Sequence, residues 1–340
     1  MNRFLKLLSI AVLCACAFSS CRDIEEYPDD PFGNFDALWS IVDTHYCFFA
    51  EKDVDWKSIG EEYRAKIVPG ITLAEYFDIC GDMLSELRDG HVNLIAPFNV
   101  SYYRRWWTDY PQDFNLRTLQ QYYLDFNYMT TGGIIYKILP GKVGYMRYSS
   151  FSAPVSDGNL DYVLSWFADC DALIIDIRDN GGGSLSNIKP LFTRFITKET
   201  VPCYIMHKTG PGHNDFSKPY PIRYSPAKGH TIWTKPVAVL VNRSTFSAAN
   251  TFASAMKMLP NVILVGAMTG GGGGLPFNSE LPNGWSVRFS ASPVTDASCR
   301  PIEDGVEPSD GCAVTAPESE LAAGKDAILE FALRRLGAGN

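Results

Sequence analysis

The chain has 340 residues, 46% of them hydrophobic, with 30 basic against 38 acidic side chains and a formal net charge of −8. That length and apolar share support a substantial core in at most two domains. An acidic chain without basic clusters is a poor nucleic-acid binder, and no Cys-x-x-Cys or Cys/His spacing suggests a metal, so no cofactor is expected.

Residues 1–20 read as a secretory signal: Arg3 and Lys6 supply the positive region and Leu7 to Phe18 the apolar one. That run is too short to span a bilayer. It ends in Phe18-Ser-Ser-Cys21, which resembles a lipoprotein signal in which Cys21 is acylated. The acidic tether over residues 21–32, with Asp23-Ile-Glu-Glu-Tyr-Pro-Asp-Asp30, is similar to surface-export signals of Bacteroidetes lipoproteins. A cell-envelope location follows, at the outer membrane, held by an N-terminal lipid.

Residues 33–90 read as three amphipathic helices, over 35–49, 56–67 and 72–88. The last opens with the capping box Thr72-Leu-Ala-Glu75. It delivers Leu87-Arg-Asp-Gly-His91, a histidine just ahead of a strand. Residues 92–140 hold the aromatic cluster Tyr102-Tyr-Arg-Arg-Trp-Trp107, which suits the packing of a sheet or, as the alternative, the binding of substrate, and a strand over 133–138.

From Val143 strands alternate with helices, which implies a sheet covered by helices. A strand runs to Tyr148 and a helix over 160–167. The strand from Ala172 to Ile177 enters Arg178-Asp-Asn-Gly-Gly-Gly183, followed by a helix from about Ser184. A glycine-rich turn between strand and helix lets backbone N–H groups approach an oxyanion or a phosphate. It has neither the P-loop ending nor the dinucleotide spacing. Residues 208–229, rich in Pro and Gly, read as a surface loop, with His207, His213 and His230 in or beside it. His45 lies in an amphipathic helix and reads as structural.

The apolar strand Val237 to Val241 leads through a tight turn to Ser247 and a helix over 248–259. A serine there is either a helix N-cap or a nucleophile set among unpaired N–H groups. The glycine run 270–274 reads as a mobile lid or a backbone wall, Asn283-Gly284 as a hairpin turn, and residues 324–336 as a terminal helix. Near the end stands Ile302-Glu303-Asp-Gly-Val-Glu-Pro308. Six cysteines follow Cys21, and a Cys299–Cys312 bridge would bracket Glu303.

Taken in order, Asp89-Gly-His91, Lys142-Val-Gly-Tyr-Met-Arg-Tyr148, Asp176 to Gly183, Ser247-Ala-Ala and Gly305-Val-Glu-Pro308 resemble the C-terminal processing serine peptidases, family S41, in the tricorn-like branch. The resemblance spans residues 35–336. It implies an α/β fold, with a small N-terminal helical domain over 33–90 and a ClpP/crotonase-like ββα core over 91–340. It implies a serine endopeptidase acting on peptide or protein, with Ser247 as nucleophile, His91 as its base and Glu303 orienting His91. The N–H groups of Gly182, Gly183 and Ala248 are the candidate oxyanion donors.

Two departures stand against the pattern. The Ser–Lys dyad lysine of many members is missing, since the stretch from Gly266 to Gly274 has none and Lys257 lies about 15 Å along the helix from Ser247. Asn250 stands where members often carry Glu. The segment from Val92 to Pro140 is also too short for a PDZ domain. The alternative is a non-catalytic binding protein on the same scaffold, holding a hydrophobic or peptide ligand, or a lipoprotein that recognises peptide or glycan fragments for uptake.

Overall fold

The computed structural model describes residues 27–337. The signal, Cys21 and the tether up to residue 26 lie outside the described residues. Among those described, no helix is long and apolar enough to cross a membrane.

The N-terminal unit is helical, with boundaries that follow its caps. Helix α1 (Pro31–His45) starts with proline in its first turn, and the Asp30 carboxylate accepts from the Gly33 N–H at 2.8 Å. It stops sooner than the periodicity predicts. Tyr46 turns extended (ψ 137°), so that Tyr46 and Phe48 drop into the core against Phe289. A separate turn, α2 (Phe49–Lys52), then points Lys52 inward. Helix α3 (Trp56–Arg64) is capped by Asp55, and α4 (Leu73–Ser85) by the reciprocal Thr72/Glu75 box. Beyond α4 the backbone reverses through Arg88 at φ +49°, which sets Asp89 and His91 on the inner side.

Residues 92–140 form strands β1 (Asn93–Ala96) and β2 (Asn99–Val100), helix α5 (Arg105–Thr108), and strands β3 (Met129–Thr131) and β4 (Ile134–Leu139). The core then runs β5 (Val143–Tyr148), α6 (Asp157–Trp166), β6 (Ala172–Asp176), α7 (Ile188–Phe192), β7 (Thr200–Ile205), β8 (Tyr220–Tyr224), β9 (Val237–Val241), α8 (Ala248–Lys257), β10 (Val262–Gly266), β11 (Gly274–Glu280), β12 (Ser286–Asp296) and α9 (Ala327–Arg335).

Two sheets result. The first has the order β10-β9-β6-β5-β4-β3, parallel across β10, β9, β6 and β5, with an antiparallel edge. Strands β5, β6 and β9 are buried at every position, which is why β9 and the first four residues of β6 read as unbroken apolar runs, while Arg147 of β5 and Asp176 of β6 pair with each other. Alternate residues serve opposite layers. Leu173, Ile175, Val237 and Val239 pack under Leu160 of α6 and Phe252 of α8. Ala172, Ile174, Ala238 and Leu240 pack on Ile328 and Leu329 of α9.

The second sheet is antiparallel, β2-β1-β12-β7-β8 with β11 also on β12. Val287 and Phe289 of β12 join Phe35, Leu38, Trp56 and Phe77 of the helical unit in one cluster. The hairpin before β12 is closed between Leu281 and Trp285, with Gly284 at φ +77°.

Four expectations change. The stretch read as a surface loop contains β8, an edge strand on β7, where Pro221 is tolerated because an edge needs fewer N–H donors. The helix expected from Ser184 is a 3₁₀ turn (Leu185–Asn187) followed by the short α7. The aromatic cluster does not pack a sheet: Trp106 stacks on Phe246 at 4.2 Å. Cys299 and Cys312 are not joined, since Cys299 is exposed while Cys312 is buried, and all six cysteines are free.

Candidate active site

The turn between β9 and α8 carries Ser247 at φ +56°, ψ −121°. This is a conformation few non-glycine residues adopt, and holding it costs on the order of 1–3 kcal/mol. Several bonds enforce it. The Ser247 N–H donates to Gly271 O at 2.8 Å, Phe246 N–H to Asn180 O at 3.0 Å, and the turn is braced by Thr245 Oγ1 donating to Ile177 O at 3.0 Å. Ser247 occupies the N-cap position, yet its side chain makes no capping bond. Its Oγ lies 3.0 Å from His91 Nε2 instead, across 156 positions of sequence.

His91 is 3% exposed. Its ring packs tilted on Phe246 at 4.7 Å, under Trp106. Its backbone N–H donates to Asp89 Oδ1 at 2.7 Å. Nδ1 is faced by Ser290 Oγ at 3.5 Å and Asp89 Oδ1 at 3.9 Å. Burial holds the imidazole below its ordinary pKa, against the pull of Asp89 and with the help of Arg288 and Lys52. A neutral ring is the form that can accept a proton.

Glu303 does not make the expected contact with His91. Its Oε1 lies 3.0 Å from Lys52 Nζ, and its Oε2 accepts from the Gly273 N–H at 2.8 Å. Lys52 Nζ also donates to Arg88 O at 3.1 Å, and the Arg88 guanidinium donates back to Lys52 O. Glu303 thus reaches the Asp-Gly-His turn through Lys52. Burial and then Asp89 push its carboxyl up to about 8, opposed by Lys52 and the Gly273 N–H. The Tyr46 hydroxyl and Asp89 Oδ2 are buried nearby, and neither makes a well-formed hydrogen bond among the described residues.

The glycine turn abuts the serine: a Cβ on Gly182 would lie 2.7 Å from Ser247 Cβ and 2.9 Å from Ala248 N. The three candidate donors differ. The Gly182 N–H is already given to Asn180 Oδ1 at 3.0 Å. The N–H groups of Gly183 and Ala248 have no partner among the described residues. Asn180 also donates to Tyr148 O at 2.8 Å, tying the turn to β5. Below it Arg178, fully buried, is bidentate to Asp176 (2.7 and 3.0 Å) and bonds Asp326 at the start of α9 at 2.8 Å.

The glycine run 270–274 is a wall rather than a lid. Its backbone bonds Ser247, Thr245 and Glu303. Asn250, fully buried, donates to Ile302 O at 2.9 Å and accepts from Thr269 Oγ1 at 2.6 Å, so it anchors the segment that carries Glu303. Lys257 is turned away, on Glu307 O. His45 stacks on Phe277, and His207, His213 and His230 bond Ser292, Asp43 and Asp161.

Two cavities meet at Ser247. One, of about 300 Å³, is bordered by Gly183, Leu185, Thr251, Pro276, Arg288 and Val294. It adjoins through Leu185 and Thr251 an apolar recess of about 130 Å³ lined by Ile188, Cys203, Ile205, Ile222 and Tyr224. The other, of about 390 Å³, is bordered by Gly90, His91, Ser150, Ser152, Gly182 and Arg288. A further cavity of about 430 Å³ beside Lys257, Arg300 and Glu307 contains neither Ser247 nor His91.

Sequence reasoning overlooked Lys52, Ser290 and Arg288. Lys52 carries no local signal. Ser290 and Arg288 alternate on a strand whose other face is apolar, a pattern that was there to be read.

A polar serine–histidine contact at the head of a helix, faced by a glycine turn on a parallel sheet, defines the class of fold. The sequence model of peptidase family S41 matches residues 142–310, and that of the tricorn protease C1 domain matches residues 27–85. A crystal structure of a candidate peptidase from Parabacteroides merdae is 44% identical with a TM-score of 0.86, covering 91% of this chain and 97% of that one. The carboxyl-terminal-processing protease of a Picosynechococcus species is 31% identical over 146 residues, which are 42% of this chain and 32% of that protein. The match thus spans about a third of that curated relative. Mature CPAF shares the fold, with a TM-score of 0.67 at 12% identity over 90% of this chain and 96% of that one. The chain belongs to peptidase family S41.

Proposed function

We propose that the protein is a serine endopeptidase. Ser247 Oγ attacks the scissile carbonyl while His91 Nε2 takes its proton. The tetrahedral oxyanion is held by the N–H groups of Gly183 and Ala248. His91 returns the proton to the leaving amine, and water releases the acyl group from Ser247 by the same path in reverse. Gly182 braces the turn through Asn180. Glu303 acts at one remove: with Lys52 it holds the Arg88 carbonyl and hence the Asp89–His91 turn, while Asp89 and Ser290 face Nδ1. The apolar recess beside Leu185 suits a mid-sized aliphatic side chain next to the cut bond.

The observation that carries this reading is the 3.0 Å Ser247–His91 contact on a strained turn. A capping serine needs neither the strain nor the histidine. The test is labelling with a fluorophosphonate probe. Wild type should label, and Ser247→Ala and His91→Ala should both lose labelling while keeping their circular dichroism. A folded wild type that does not label would leave a ligand-binding protein on the same scaffold.

The envelope location belongs to this reading too. Residues 1–20 and Cys21 suit a lipoprotein at the outer membrane, with peptide or protein as substrate and no nucleic acid partner. Incorporation of labelled palmitate should disappear in Cys21→Ala, and its persistence would refute the anchor.

A further inference from the structure

Arg288 lies on β12, opposite Asn93 of β1 and Asn278 of β11, in the middle of the second sheet. Its neighbours Val287 and Phe289 point into the helical unit. Arg288 and Ser290 point the other way, and Ser290 Oγ reaches to 3.5 Å from His91 Nδ1. The Arg288 side chain borders both cavities that meet at Ser247.

Arg288 is half-buried, and its guanidinium has no hydrogen bond or ion pair among the described residues. Arg104, Arg117 and Arg335 also lack an ion pair, but they are exposed to solvent, whereas Arg288 is withdrawn into the cleft. Arg147, Arg178 and Arg194 are buried and paired with aspartates. Even the exposed Arg64, Arg105 and Arg300 hold carboxylates. A guanidinium offers five donors in a rigid fork that matches a carboxylate. An unpaired one, shielded in a cleft, is a ready anion receptor. Its charge also acts on the His91 ring beside it.

We propose that Arg288 receives a carboxylate of the peptide, within a residue or two of the cut bond. Two sources share that chemistry: the C-terminal α-carboxylate of the substrate, or an aspartate or glutamate side chain. The first would make the protein trim chain ends, and the second would make it select acidic sites. The inference rests on the peptidase reading for its consequence, and on binding alone for its test.

The probes are fluorescein-labelled alanine hexapeptides with one central leucine, made as the free acid and as the amide. A second amide pair carries Glu or Gln directly after the leucine. Binding is read by fluorescence anisotropy on the full chain bearing Ser247→Ala, so that turnover is not required. Acid over amide, or Glu over Gln, should bind about tenfold tighter, the size of one charge-assisted pair. Arg288→Gln should bring that ratio near one, and Arg288→Glu should invert it. The pair that shows the preference identifies the source. Equal binding, no binding, or a preference that survives Arg288→Gln overturns the proposal. Hydrolysis by wild type is followed separately: cleavage without discrimination sinks this inference alone, and discrimination in binding without cleavage sinks the peptidase reading alone. Thermal melts of each variant exclude misfolding as the cause.

Discussion

At the scale of the residue, the proposed mechanism turns on His91. Burial is the main reason its imidazole resists protonation, with Arg288 and Lys52 adding to it and Asp89 opposing. A group whose charged form is disfavoured loses its proton at lower pH than usual. The protonated ring cannot accept from Ser247, so the rate of fluorophosphonate labelling should climb with pH along a limb whose midpoint lies below 6.5, the ordinary value. A midpoint above 6.5 would mean that Asp89 outweighs burial, or that another group is the base. Ser247 shows the same preparation in its backbone, since the strain of its φ is held by the bonds to Gly271 and Asn180 already in place before substrate arrives.

At the scale of the element, two glycine segments shape the cleft. Gly272, which is buried, offers the sharpest test. It sits at φ +77°, and a Cβ there would lie 2.5 Å from Phe246 Cζ and 3.0 Å from His91 Cε1. Gly272→Ala should therefore displace the ring that bears Nε2. We expect labelling to slow by at least about tenfold, as follows from misplacing a base by a fraction of an ångström, with a loss of roughly 1–3 kcal/mol in stability from the forced φ. Kinetics of labelling beside urea melts would separate the two, and wild-type behaviour in both would remove the wall from the account. The segment 302–306 is held from the opposite side by Asn250, whose amide fits the Ile302 carbonyl and the Thr269 hydroxyl. That amide meets both demands because it can donate and accept at once.

At the scale of the molecule, the site is assembled from two hydrophobic units. The helical unit supplies Lys52 and the turn to His91; the parallel sheet supplies Ser247 and the glycine turn; β12 lies between them, apolar toward the helices and polar toward the cleft. The sheet side is locked to the C-terminal helix by Asp176–Arg178–Asp326, all fully or almost fully buried. Removing one member of a buried ion pair leaves charges without compensation, at a cost of about 3–5 kcal/mol. Arg178→Met should show that loss in urea denaturation. Arg64→Met, which breaks an exposed pair with Asp36, should cost less than about 1 kcal/mol. Equal effects would mean that the buried network contributes nothing special.

Much of this was legible in the chain itself. The parallel strands announce themselves because burial on both faces leaves no polar alternation, as in Ala172 to Asp176 and Val237 to Val241. The capping box at Thr72 and the hairpin at Asn283-Gly284 are local devices, and local chemistry decides them. Ser247 and His91 stood out because each lies in a motif at the end of a strand or helix. What the chain could not show was set by contacts between distant segments. The break at Tyr46 follows from burying its ring against Phe289, and it is this break that turns Lys52 toward Glu303. The edge strand at Tyr220 exists because β7 offers it unpaired backbone groups. Whether Glu303 meets His91 or Lys52, which glycine N–H remains free, and whether Arg288 finds a partner are all questions of a few ångströms between residues far apart in sequence. Only the packed tertiary structure resolves distances of that size, because the hydrogen bonds that set them reach across the core rather than along the chain.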